Sequence, residues 1–140
     1  VELSPLCPQA CRELAPYPAL AERLRQAGFE GGTIIVTESL IAGNLRVQFP
    51  GSLVVLPGAP YRPPPDEDGQ CLVIWREAEG DWHAGRDAAL RAAGLTPDDA
   101  AAARQAAVPF PMPMLDWSRP LAGFGPRSMS WRYLILDRSC

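Results

Sequence analysis

Few side chains in this sequence are placed to do chemistry, and the best grouped are Thr37, Glu38 and Ser39. They stand where a β-branched run gives way to an amphipathic stretch, and open α/β sheets bind ligands at the carboxyl ends of their strands. Two hydroxyls and the free N–H groups of a starting helix could hold an anion there. Arg46, further along the same stretch, completes the candidate ligand-binding set. Against this, Glu38 brings a negative charge to the same turn and no glycine-rich loop precedes it, so N-capping explains both hydroxyls as well.

The sole histidine, His83, could join Ser39 and an aspartate in a hydrolase triad. Ser39, however, sits in Glu38-Ser39-Leu40, which is not the GxSxG elbow such a nucleophile needs. No catalytic residue is assigned. The four cysteines, Cys7, Cys11, Cys71 and Cys140, form no CxxC pair, so neither a zinc site nor a dithiol redox site is expected, and no cofactor is implied. If the last strand runs antiparallel to the strand at Cys71, Cys140 falls beside the start of that strand. The expected pairing is then Cys71 with Cys140, leaving Cys7 with Cys11, and the alternative is four free thiols. Trp75-Arg76 and Trp131-Arg132-Tyr133 set arginines beside aromatics; on strands such neighbours face opposite ways, which favours core aromatics beside exposed charges over a stacking site. Phe110, Met112 and Met114 make an apolar stripe that suits cover for a sheet edge.

The elements that must position these residues follow from periodicity. Residues 1–18 carry Pro5, Pro8, Pro16 and Pro18 and read as a linker, with a single α/β domain over 19–140. Leu20, Leu24 and Ala27 predict a helix over Ala19–Ala27 with Gly28 as its C-terminal cap. Thr33–Thr37 is a continuous β-branched run that suits a strand covered on both faces. A helix over Glu38–Phe49 follows, capped by Thr37 or Ser39, and Ser52–Leu56 is a second strand, giving a right-handed parallel crossover. Pro57–Gly69 is a proline-rich loop. Cys71–Trp75 predicts a third strand, and Arg86–Ala93 a helix. Thr96, Pro97, Asp98 and Asp99 announce another helix through about Ala107. Prolines 109, 111 and 113 make Val108–Leu115 an edge strand or an extended cover, never a central strand, and Met129–Leu136 alternates as the terminal strand. The fold class expected is α/β, a three-layer-like sandwich whose partly parallel sheet has strands near 33–37, 53–56, 71–75 and 129–136, with flanking helices.

Composition sets the outer limits. The chain has 140 residues, of which 47% are hydrophobic and 21% charged, values typical of one globular domain. Net charge is −3, and all 13 basic residues are arginine without forming a basic stripe, so a nucleic-acid partner is not expected. No apolar run reaches the roughly 20 residues of a membrane-spanning helix. The first residue is Val1, not methionine, which suggests a piece of a longer protein.

Ala27-Gly28-Phe29, then Gly32-Thr33-Ile34-Ile35-Val36, and then Ile41 through Pro50 (Ile-Ala-Gly-Asn-Leu-Arg-Val-Gln-Phe-Pro) form a series with further members at Gly69–Trp75 and Tyr133–Arg138. Together they resemble the soluble C-terminal part of bacterial multi-spanning glycosyltransferases related to the dolichyl-phosphate-mannose protein mannosyltransferase and aminoarabinose transferase family. The resemblance implies a periplasmic domain attached to a membrane-embedded portion of the same parent chain, which takes sugar from a polyprenyl-phosphate donor. It also implies an accessory role beside a lipid-linked sugar or its acceptor. The family's acidic catalytic residues lie in loops between membrane helices, and nothing in this sequence matches those loops. An extracytoplasmic location would agree with paired cysteines. The alternatives are a free-standing α/β enzyme or a nucleotide- or anion-binding protein using the Thr37–Ser39 turn, and a secreted binding module.

Overall fold

The computed structural model describes residues 16–60, 64, 68–77, 83–111 and 126–140. Its first strand is β1 (Gly32–Val36), in which all five residues are buried. Such a strand has to be apolar on both sides, and the run Thr33-Ile34-Ile35-Val36 meets that need.

Helix α1 (Tyr17–Gln26) precedes it and buries Tyr17, Leu20, Ala21 and Leu24, spaced to line one face. It begins ahead of the expected Ala19, so Tyr17 and Pro18 belong to the helix. Proline is tolerated in a first turn because its missing N–H has no partner there. The helix ends at Gly28, whose φ is +103°. The Gly28 N–H bonds the Arg25 carbonyl at 2.9 Å and the Phe29 N–H bonds the Leu24 carbonyl at 3.0 Å, closing the last turn.

Helix α2 (Ser39–Gln48) follows β1 and buries Ile41, Ala42 and Leu45. The expected caps are corrected: Glu38, with extended backbone, is the N-cap residue, and no side chain makes a capping bond. Gly43 costs this helix about 1 kcal/mol relative to alanine. Strand β2 (Leu53–Val55) lies parallel beside β1, with Ile34 opposite Val54.

Strand β3 (Gln70–Arg76) pairs parallel with the other side of β1. Helix α3 (His83–Ala92) begins three residues before the expected Arg86, which puts His83 on its first turn. The helix expected from Thr96 to Ala107 is corrected. Pro97–Ala102 is one short 3-10 helix, and the chain is in strand from Arg104. The alanines favour helix weakly, but β4 (Arg104–Pro111) gains a ladder against β5 (Pro126–Leu136), placing Ala106 opposite Trp131 and burying it. Tertiary pairing has overridden local propensity. As expected from its prolines, β4 is an edge strand; the expected continuation over 112–115 lies outside the described residues, as do Met112 and Met114.

The five-stranded sheet has the order β2-β1-β3-β5-β4, with β5 antiparallel to both of its neighbours. Helices α1 and α2 pack on one face, where Leu20, Leu24, Ile41 and Leu45 meet Ile34, Leu72 and Trp131. On the other face Ala89, Leu90 and Ala93 of α3 meet Ile35, Val73 and Trp75. This is the α/β sandwich expected. Trp75 and Trp131 are core residues on opposite faces, while Arg76 and Arg132 beside them are half-exposed.

The C-terminal tail is tied back to the amino end of β3. Cys71 and Cys140 form a disulfide with Cα atoms 5.6 Å apart, as the antiparallel geometry requires. Cys7 and Cys11 lie outside the described residues. Gln70 reinforces the tie by donating to the Gly28 carbonyl at 3.0 Å and to Asp137 at 3.2 Å.

The 3-10 helix provides a pH-dependent element. Asp99 Oδ2 accepts from the Thr96 N–H at 2.6 Å and from the Thr96 hydroxyl at 3.0 Å. The backbone bond first, then the hydroxyl, hold the Asp99 carboxyl below its ordinary value near 3.8. A depressed carboxylate pKa contributes stability that is present above the ordinary value and is lost as pH falls through the folded one. Asp99→Asn is therefore expected to flatten the acid limb of a stability profile below pH ~4, and identical limbs in urea melts would refute this assignment.

Candidate functional site

The carboxyl ends of β1 and β3 meet the first turns of α2 and α3, and this edge carries the candidate residues. Thr37 and Glu38 bridge β1 and α2, both half-buried, and Ser39 opens the helix in an exposed position. Glycine at 85 lets the first turn of α3 come close: a Cβ there would stand 3.2 Å from the Thr37 hydroxyl. Register puts Val36 opposite Ile74, so the residues following each strand emerge side by side. Glu38 Oε1 consequently lies 3.4 Å from Arg76 Nε, with about two-fifths of each side chain exposed. Arg76 Nε has no hydrogen-bond partner, so this is a contact of charges and not an aligned bond.

The same edge continues across the sheet. Glu77 receives both arms of Arg132, with Nε to Oε2 at 3.3 Å and Nη2 to Oε1 at 3.4 Å. Gln105 reaches Glu77 at 3.5 Å and Ser130 at 3.4 Å, at the long limit of hydrogen bonding. Arg86 pairs with Asp87 at 2.9 Å. Among the described residues each carboxylate on this edge therefore faces a guanidinium, and arginine cannot take up or release a proton near neutrality. Among the described residues the arrangement can orient a polar group and presents no isolated general base.

Arg46 does not join the set. It sits in the last turn of α2, exposed, seven residues beyond Ser39 and so roughly 10 Å away along the helix axis. Thr37, Glu38 and Ser39 are brought together; Arg46 belongs to the opposite end of the helix. Arg76, Glu77, Gly85 and Arg132 are the members of this edge that sequence reading did not assign. No local pattern marks them, because β3 becomes a neighbour of β1 only through a strand order that skips β2. His83 is on the helix turn nearest this edge, two residues before Gly85.

Among the described residues, two depressions lie elsewhere. One, of about 570 Å³, opens at the amino ends of the parallel strands between Arg25, Gly32, Phe49, Ser52 and Asp68. Arg25 partly fills it, lying 4.8 Å over the Phe49 ring and donating to the Gln48 carbonyl at 2.7 Å. The other, about 390 Å³, is an apolar hollow between Val55, Pro57, Ala88 and Ala92, with Arg91 at its rim. Neither touches the Thr37–Ser39 turn.

Among the described residues no group of three or more histidine, cysteine or acidic side chains is placed to hold a metal ion. Among them, too, no helix is long and apolar enough to cross a membrane. No family model matches this chain, and no curated protein or solved structure matches it.

Proposed function

We propose that this chain is an extracytoplasmic, non-catalytic accessory domain of a membrane glycosyltransferase that uses a polyprenyl-phosphate sugar donor. The observation that carries the location is the Cys71–Cys140 disulfide. Disulfides persist in oxidising compartments, whereas reducing systems keep cytosolic thiols free. Support for the accessory role comes from where the family-like segments fall. Gly28 closes α1, Ile34, Ile35 and Val36 are buried in β1, and Ile41, Leu45 and Phe49 fill the core below α2. These segments make a scaffold, and beside them, among the described residues, Glu38 pairs with Arg76 and Glu77 with Arg132.

On this reading the chemistry resides in a membrane-embedded portion of the parent chain, and the domain shapes or covers its acceptor side. The chain incubated with polyprenyl-phosphate-linked sugars is expected to give no transfer and no saturable donor binding below about 1 mM. Turnover above a no-protein control would overturn the accessory role. Thiol counting under denaturing, non-reducing conditions tests the location separately: four free thiols in protein isolated from its native host would contradict it.

A second reading, an anion-binding or enzymatic use of the Thr37–Ser39 turn, is favoured by one observation. Arg76 offsets the Glu38 charge that would otherwise repel an anion there. Saturable binding of inorganic phosphate that disappears in Thr37→Val would favour this reading over the first.

A further inference from the structure

We propose that the hollow between the end of β2 and helix α3 binds a small anionic amphiphile, whose alkyl chain fills the hollow while Arg91 holds its carboxylate or phosphate head. The inference does not depend on the proposed function. The hollow measures about 390 Å³ and is bounded by Val55 and the turn after it on one side, by Ala88 and Ala92 on the other, and by Arg91 at the rim. That volume is near the small end of the range for small-molecule sites, which are mostly apolar with a few placed polar groups. It suits a chain of roughly eight to ten carbons.

Both walls are fixed before any ligand arrives. On the β2 side the chain leaves the strand in a tight turn: the Ala59 N–H donates to the Leu56 carbonyl at 3.1 Å, and Gly58 takes a φ of +82°. Pro57 and Gly58 are thus the central pair of a type II turn, and the proline ring locks the first of them. On the other side Ala88 and Ala92 stand four residues apart on α3, so they share a face. Helix α3 packs Ala89, Leu90 and Ala93 with Ile35, Val73 and Trp75, and toward the turn it presents two methyl groups and, at the rim, Arg91. These short side chains leave open a space that larger ones would close.

Arg91 sets the charge of the occupant. It is exposed, and among the described residues its guanidinium pairs with no carboxylate. Asp87, one turn back on α3, is taken by Arg86 at 2.9 Å. No acidic residue bounds the hollow among the described residues, so an anion meets no repelling carboxylate there. A guanidinium is a planar fork of donors that matches a carboxylate or a phosphate through two parallel bonds. Arg91 also lies in the last turn of α3, where a cation offsets the helix dipole, but that role needs no hollow beside it. A compact anion would leave the apolar chamber empty, and a wholly apolar ligand would leave the cation unused. A chain with an anionic head occupies both.

Titration of the full chain with decanoate, decyl phosphate and decanol, followed through the amide resonances of Val55, Ala59, Ala88 and Ala92, tests this. At least one of the two anions is expected to saturate with a Kd of about 0.1–1 mM and to shift those amides together, and the tighter of the two identifies the head. Decanol should bind about tenfold more weakly. Arg91→Gln should erase that difference, weakening the anion about tenfold while leaving decanol unchanged. Ala88→Leu should fill the hollow and abolish binding of all three. Should that variant not fold, Ala59→Leu at the exposed mouth should weaken binding about fivefold or more. No saturation by either anion up to about 5 mM, shifts centred on other residues, or anion binding indifferent to Arg91→Gln would overturn the proposal.

Discussion

Replacing both Cys71 and Cys140 by alanine is expected to lower the stability of the domain by about 4 kcal/mol. The bridge closes a loop with a sequence separation of 69, and the entropy it removes from the unfolded chain grows with the logarithm of loop length. Against a total stability of about 5–15 kcal/mol, such a loss is about a quarter or more of what holds the fold. The native state also supports the bond. Cys71 is fully buried, and its strand is already fixed against β5, with Cys71 opposite Leu136. The cross-link thus fastens a register that the ladder has chosen. Guanidinium unfolding of the native and doubly substituted chains measures the effect. A difference below about 1 kcal/mol would mean that the unfolded chain is already compact around these positions.

Reduction should release the tail before it unfolds the sheet. Beyond β5, the bonds to Asp137 and from Arg138 to the Ala93 carbonyl lie at 3.2 and 3.3 Å and are solvent-exposed or only partly buried. Without the sulfur bridge only such weak contacts hold the last residues, so amide exchange after Leu136 is expected to rise ahead of exchange in β3.

How much of this was legible in the sequence depends on how local each signal is. The runs Thr33–Val36 and Cys71–Trp75 announce strands covered on both faces, because only such strands can be apolar at every position. Prolines 109 and 111 place β4 at an edge, since they cannot donate to a second neighbour. Even the disulfide followed from one assumption, that the last strand runs antiparallel to β3. The alanine run after Thr96 misled because helix preference in such a stretch is weak and the decisive partner, β5, comes more than twenty residues later. At the candidate site, Thr37, Glu38 and Ser39 are adjacent in the chain and needed no fold to join them. Arg76 meets Glu38 only because β3 inserts beside β1, a fact of strand order that no spacing expresses.

Strand order also explains why one glycine should be irreplaceable. Gly32 opens β1 at φ +134°, and a Cβ there would overlap the Gln70 carbonyl oxygen and come within 2.6 Å of the Gln70 amide nitrogen. These are backbone atoms of the neighbouring strand, so no side-chain rotation relieves the clash. The two strands must separate at the end where Gly32 stands opposite Gln70, and where Gln70 anchors both Gly28 and Asp137. Gly32→Ala is therefore expected to cost more than about 3 kcal/mol, in the tail of single-substitution effects that backbone strain produces. Gly28→Ala provides the comparison. Its φ is also positive, at +103°, but nothing lies within 4 Å of an added Cβ, so it should cost only the conformational strain of about 1–2 kcal/mol. Urea melts of the two variants separate the terms: the excess for Gly32→Ala reports the close approach of β1 to β3. Equal losses would mean that the strands part freely at this end, and the tie between β3 and the C-terminal tail would then have to rest on the disulfide alone.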